Sequence, residues 1–300
     1  MARIIEKTNL NENTIKFVVN APNIAKRALP GQFIILRLDE KGERVPFTIS
    51  STDDENVTII VQVVGGTTMR MDNLKAGDGF LDFVGPLGVP TELDSLKGKH
   101  VCVVGGGLGT AIAYPQAKYL HDIGAHVDVI IGFRNKDLIL LENELKVSSE
   151  NLYIATDDGS YGHAGFVTEI LKNNIDSGKN YDHILAIGPV IMMKNVVEVA
   201  RPYNIPVTVS MNSTMVDGTG MCGCCRLTVD GQMKFACVDG PDFDGYKVDF
   251  TEAMNRSRNY IKEEREHVCN LTGEVRNGWL QNKYGKRKSK NARTRPKRKK

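Results

Sequence analysis

Asp217, Cys222 and Cys225 stand at the spacing of the first three ligands of a plant-type [2Fe–2S] cluster, C-x4-C-x2-C, and Cys237 can serve as the distant fourth. An aspartate occupies the place of the first cysteine. Thiolate is the soft ligand that iron–sulfur chemistry requires, and a carboxylate, though harder, still binds ferric iron. Gly218, Gly220 and Gly223 suit a loop that wraps a cluster with its amides turned inward, because such dihedrals are closed to residues with a Cβ. Four of the six cysteines lie between 222 and 237. A zinc knuckle or a set of inert buried thiols would also account for them. Cys224 falls off the ligand spacing, Cys269 is remote, and Cys102 sits in an apolar strand as a small hydrophobe.

The residues upstream favour the cluster. Gly105, Gly106, Gly107, Gly109 and Thr110 connect the apolar strand His100–Val104 to an amphipathic helix running to about Ile123. Such a loop lets backbone amides approach a pyrophosphate at a helix N-terminus. Thr110 replaces the last glycine of G-x-G-x-x-G, so strand–turn–helix context carries this assignment. Asp157 and Asp158 end a later strand, and Gly188-Pro189 end the next. In a parallel sheet these loops line one crevice with 105–110. Earlier in the chain, Pro46 pre-sets an extended backbone, Phe47 offers a flat apolar surface and Thr48 a hydroxyl, while Arg44 is a candidate for phosphate. Gly66, Thr67 and Thr68 open a short helix, expected over Thr68–Leu74, whose free amides could meet a second phosphate.

These residues need a scaffold of two kinds. Residues 1–97 read as β, with strands at Thr14–Val19, Phe33–Leu38, Phe47–Ser50, Val57–Val64 and Phe80–Val84, which predicts a small antiparallel barrel. From Lys97-Gly98-Lys99 onward the pattern alternates. Strands at His126–Gly132, Leu152–Thr156, His183–Ile187 and Val207–Met211 (the last) are separated by helices around Asp137–Lys146, Gly165–Asn174 and Val190–Ala200. Such alternation predicts a doubly wound parallel sheet over 98–212. A cluster-binding region is expected over 213–250, with a hairpin Arg226–Val229/Gln232–Phe235. A helical segment follows over 251–282, with a mostly polar helix at 251–266. No internal repeat is present.

The chain has 300 residues, 41% hydrophobic and 25% charged, which is ordinary for a chain with ample core material. It has no apolar run near 18 residues and no secretory pattern at its start, so a cytoplasmic location is expected, where clustered cysteines favour metal over disulfides. Residues 283–300 carry eleven Lys/Arg and no acid, and subtracting those eleven from the net +3 leaves −8 on the remainder. That tail reads as disordered. Without aromatic interleaving or a folded basic face, it gives no case for nucleic acid.

An R-x-P-F-T strand, a GGG-x-G nucleotide region, Thr156-Asp157-Asp158-Gly159-Ser160, Gly162-His163-Ala164-Gly165 and the 217–225 loop together resemble the ferredoxin–NADP reductase superfamily. More narrowly, about residues 1–270 resemble the electron-transfer subunits of type B dihydroorotate dehydrogenase and their relatives, the small subunits of NADH-dependent reduced ferredoxin:NADP oxidoreductases (sulfide dehydrogenase subunits). The dihydroorotate branch carries four cysteines at its cluster and the other branch an aspartate, so Asp217 points to the latter. The resemblance implies one FAD on the barrel, one [2Fe–2S] cluster and a site for NAD(H) or NADP(H). It places Pro46, Phe47 and Thr48 at the flavin ring, with Thr48 near N5, and Gly66, Thr67 and Thr68 at the FAD phosphates. No protein acid or base is assigned. A larger flavin and iron–sulfur partner, similar to the glutamate synthase small chain, would oxidise NADPH and reduce ferredoxin. The alternatives are a dihydroorotate dehydrogenase subunit, a stand-alone sulfide or polysulfide reductase, and a zinc-bound subunit without redox chemistry. Arg134 and Lys136, after the strand at His126–Gly132, favour NADP by local charge, whereas the resemblance implies NAD(H).

Overall fold

The computed structural model describes residues 1–272. The basic stretch 283–300 and the end of the expected helical segment 251–282 lie outside them. Residues Met1–Asn259 form one compact unit, and a second begins at Tyr260. Among the described residues no helix is long and apolar enough to cross a membrane.

The first sheet has seven antiparallel strands: β1 (Ala2–Asn11), β2 (Thr14–Asn20), β3 (Phe33–Arg37), β4 (Val45–Thr52), β5 (Asn56–Gln62), β6 (Gly79–Phe80) and β7 (Asp82–Leu87), in the order β6-β1-β2-β5-β4-β3-β7. Its two outer strands, β6 and β7, are separated in sequence only by Leu81, so the chain nearly closes the barrel. Phe17, Ile34, Leu36, Ile59 and Phe80 fill it. β1 was absent from the expected strands. Its ladder with β2 slips between Ile4 and Glu6 and again between Asn9 and Asn11, which destroys the period-2 pattern that marks a strand. The short helices α1 (Pro22–Ala25) and α2 (Gly66–Met71) interrupt the barrel, α2 starting two residues before the expected Thr68–Leu74.

The second sheet contains β8 (His100–Gly106), β9 (His126–Phe133), β10 (Asn151–Thr156), β11 (His163–Ala164), β12 (His183–Ile187) and β13 (Val207–Ser210), all parallel in the order β11-β10-β9-β8-β12-β13. Helices α3 (Gly109–Asp122), α4 (Glu142–Val147), α5 (Val167–Asp176) and α6 (Val190–Ala200) cover it. The single helix expected around Asp137–Lys146 is instead a 3-10 turn, Lys136–Leu138, followed by α4. Leu141 separates them in a left-handed conformation, φ 56°.

Val207–Ser210 is not the last strand of this sheet. After the hairpin β14 (Arg226–Val229) and β15 (Gln232–Phe235), β16 (Asp242–Asp244) returns antiparallel to the edge at β13. Three residues are too few to show alternation. The hairpin turns on Asp230 (φ 54°) and Gly231 (φ 70°), the left-handed pair that a two-residue turn demands. One apolar core runs from Phe33 and Ile35 of the barrel through Val104 and Ile184 of the parallel sheet to Cys225, Leu227 and Cys237. The polar helix expected at 251–266 is two helices, α7 (Phe250–Arg256) and α8 (Ile261–Thr272). Between them Tyr260 adopts φ 66°.

Candidate functional site

β4 presents an open edge where the flavin-facing residues were expected. Pro46, Phe47 and Thr48 pair only with β3, at Ile35, Ile34 and Phe33, because β5 joins β4 from Ile49 onward. A proline donates nothing to a ladder and belongs on such an edge. All three residues are half-buried. At α2, the Thr68 hydroxyl accepts from the amides of Val64 (2.8 Å) and Gly65 (2.9 Å), and Thr67 donates to Glu43 at 2.8 Å. Both hydroxyls are therefore engaged within the protein. What the turn offers an anion is the first-turn amides of Gly66 and Thr67, which have no intrahelical partner.

Arg44, the candidate for phosphate, is engaged within the protein. Its Nε donates to the Val216 carbonyl at 2.9 Å, and its guanidinium lies 3.5 Å from Asp82. It ties the barrel to the cysteine loop.

The nucleotide loops meet where the sheet order reverses direction. β8 and β12 are neighbours with their crossovers leading to opposite sides, the switch point at which parallel sheets bind ligands. There the loop after β8 and the turn after β12 approach so closely that a side chain would be crowded at either glycine. A Cβ on Gly109 would lie 2.3 Å from the Ile187 carbonyl oxygen, and one on Gly188 3.1 Å from the Gly106 backbone. Gly107 (φ 54°) has open space beside it and donates its amide to Gly132 of β9 at 2.8 Å. Thr110 is fully buried behind Gly105. The amides of Asp157 and Asp158 bond the carbonyls of Phe133 (3.0 Å) and Arg134 (3.2 Å), so the loop after β10 is fastened to the end of β9. Pro189 caps α6.

The cysteine loop lies on the barrel wall. Gly218 (φ 82°) packs where a Cβ would be 2.6 Å from Ile35 and 2.9 Å from Leu87. Gly220 and Gly223 also take positive φ, 80° and 66°, as expected of a wrapping loop. Cys225 and Cys237 are buried with their sulfurs 3.2 Å apart. Cys222 is exposed, and Asp217 accepts hydrogen bonds from the Thr219 hydroxyl and amide. That hydroxyl, with Arg44 in support, holds the Asp217 carboxyl below the usual range. Burial and the adjacent Cys225 push the Cys237 thiol up. A bound cation reverses that preference by stabilising the thiolate. Among the described residues no three His, Cys, Asp or Glu side chains converge as ligands of one metal ion. A two-iron cluster asks for less at each metal, since it divides four ligands between two irons. Paired buried sulfurs, glycine-only backbone and four donors in one loop region fit that group. The Cys224 carbonyl accepts from Arg256 of α7 at 3.0 Å, which anchors the loop's far side.

Two features escaped the sequence. Glu142 of α4 and Tyr161 converge on a cavity of about 480 Å³ beside Lys136, beyond the end of β9. Ser50 reaches across from the barrel to α3. Both contacts are long-range pairings of ordinary residue types, which no motif announces.

Comparison with known proteins agrees with this geometry. Residues 212–249 match the iron-sulfur cluster binding domain of dihydroorotate dehydrogenase B, and residues 1–91 match the oxidoreductase FAD-binding domain. The chain is 44% identical over 264 residues to a dihydroorotate dehydrogenase B (NAD(+)) electron transfer subunit homolog of Thermotoga maritima, covering 87% of this chain and 92% of that one. It is 49% identical over 272 residues to an uncharacterized protein of Clostridium beijerinckii, covering 88% and 92%. Among solved structures, a chain of the NADH-dependent reduced ferredoxin-NADP oxidoreductase, solved to study flavin-based electron bifurcation, superposes with a TM-score of 0.85 at 40% identity, covering 90% of this chain and 98% of that one.

Proposed function

This chain belongs to the family of dihydroorotate dehydrogenase B electron-transfer subunits, and from that membership we propose that it is the small FAD and [2Fe–2S] subunit of an electron-bifurcating NADH-dependent reduced ferredoxin:NADP oxidoreductase. When bound, the flavin exchanges a hydride with nicotinamide and single electrons with an iron–sulfur centre, which is why it belongs between the two. Residues 1–97 hold the FAD, 98–212 the NAD(H) and 213–250 the cluster. The open edge of β4 receives the flavin ring at Pro46, Phe47 and Thr48, and the amides at Gly66–Thr68 receive its phosphates. Gly105–Thr110, Asp157, Asp158, Gly188 and Pro189 bind the nicotinamide nucleotide. Asp217, Cys222, Cys225 and Cys237 hold the cluster.

The observation that carries this reading over the dihydroorotate one is Asp217, which stands where that branch has cysteine. The dihydroorotate reading is supported by the names of several relatives and by the matched iron–sulfur domain. A larger catalytic partner is common to both. Exposed Val216, Met221 and Val238 around Cys222 support a protein partner on that face. The partner proposed is a flavin and iron–sulfur subunit that oxidises NADPH and reduces ferredoxin.

Anaerobic co-purification of the full chain with its partner tests this. NADPH oxidation that reduces ferredoxin and NAD+ together, with flavin absorbance and about two irons on this chain, is expected. Orotate formation, or a partner-independent polysulfide reductase, would replace the reading; zinc in place of iron would end it.

A further inference from the structure

The carbonyl of Ala111, in the first turn of α3, should accept from the amide four residues on, but that residue is Pro115. Proline has no N–H, so the carbonyl is orphaned. Ser50 fills the vacancy, its hydroxyl donating to Ala111 O at 3.2 Å from β4 of the barrel, with Ser50 only 3% exposed. The strand is shaped for this. Its pairing with β5 slips between Ile49 and Ser51, a bulge of the kind that re-aims a side chain beside an active site. Bulge, hydroxyl and proline are three separate departures from regular structure that meet at one hydrogen bond.

The bond's position gives it meaning. Ser50 is two residues past Thr48, and Ala111 is two residues past Gly109. We propose that Ser50, acting on the carbonyl freed by Pro115, is a positioning residue that sets the separation between the flavin-bearing strand and the nicotinamide-binding helix. It touches neither cofactor. This rests on the placement of flavin and nucleotide given above, since NADH must pass a hydride, two electrons with one proton, across that gap. A displacement of about 1 Å in such a gap can cost on the order of a hundredfold in rate.

The test uses the full chain in its complex, loaded with flavin. NADH-driven bleaching of the flavin is followed by stopped flow, and NADH affinity and melting temperature are measured alongside, the last also on flavin-stripped protein. Ser50→Ala is expected to slow bleaching about tenfold with NADH affinity within about twofold, and to lower the melting temperature. Pro115→Ala gives Ala111 back its intrahelical donor. The double variant Ser50→Ala/Pro115→Ala is therefore expected to regain the melting temperature but not the rate. Should Ser50→Ala bleach at the wild-type rate, or the double variant recover rate and melting together, the bond is structural only and the proposal fails. If NADH does not bleach the wild-type flavin, the functional reading fails and takes the proposal with it.

Discussion

Arg44 of the barrel donates from Nε to the carbonyl of Val216, one residue before the first proposed cluster ligand, and its guanidinium also faces Asp82. Arg44 thus serves as a clasp between the barrel and the cysteine loop. Arg44→Ala should lower stability by about 1 kcal/mol, the scale of a partly exposed charged hydrogen bond. It should also reduce the iron retained per chain on desalting while leaving bound flavin unchanged. Flavin loss in this variant would return Arg44 to the phosphate.

Asp217 is tested by changing its donor atom. Asp217→Cys should keep about two irons per chain with an altered EPR signal in the reduced protein, whereas Asp217→Ala should lose iron. An unchanged spectrum in the cysteine variant would show that the carboxylate does not ligate.

The same loop shows how tightly it is laid on the barrel. Gly218→Ala adds a methyl 2.6 Å from Ile35 at φ 82°. Left-handed backbone and overpacking together should cost about 3 kcal/mol. Gly231→Ala, at φ 70° with nothing within 4 Å, is the control and should cost about 1 kcal/mol. Equal melting temperatures for the two variants would mean that the contact with Ile35 is soft.

How much of this was legible in advance depended on whether the signal was local. β12 and α6 have the limits their apolar periods announce, and the Asp230-Gly231 turn marked its hairpin. β1 hid behind its two bulges, and β16 was too short for a period. The cysteine spacing named a chemistry, yet nothing local revealed that Arg44 would be taken by Val216 or Ser50 by Ala111. These pairs are 172 and 61 residues apart, and only the fold makes them neighbours.

Asp128 offers a prediction far from the cofactors. It is fully buried in β9 and accepts from Lys179, Tyr181 (2.8 Å) and Asn151 (2.7 Å). Burial pushes its carboxyl up, but these hydrogen bonds outweigh burial and hold it below the ordinary value. Its contribution to stability is therefore present above the unfolded pKa of about 3.9 and is lost as pH falls through the lower folded one. Asp128→Asn should cost about 2 kcal/mol at pH 7 by leaving Lys179 half-buried without its counter-charge. The gap from wild type should narrow as the acid limb is approached. Melting curves from pH 7 to pH 3 check this, and a constant gap would remove the charge from the explanation.

The choice of nucleotide is the last prediction. Arg134 and Lys136 follow β9, and by sequence they favour a 2′-phosphate. In the cavity beyond β9, however, Lys136 shares the wall with Asp137, Glu142 and Glu144. Glu142 Oε1 accepts from the Tyr161 hydroxyl at 2.9 Å and from Lys146 at 2.6 Å, and the Lys146 bond above all holds its carboxyl below the usual range. A fixed, ionised carboxylate accepts from ribose hydroxyls and repels a phosphate, so the chain should prefer NADH. Calorimetry with ADP-ribose and 2′-phospho-ADP-ribose separates the two cases without any redox step. The first should bind at least about tenfold more tightly, and Glu142→Gln should narrow the ratio. Equal binding of the two by the wild-type chain would mean that Lys136 outweighs the carboxylates and that the sequence's lean toward NADP was the better guide.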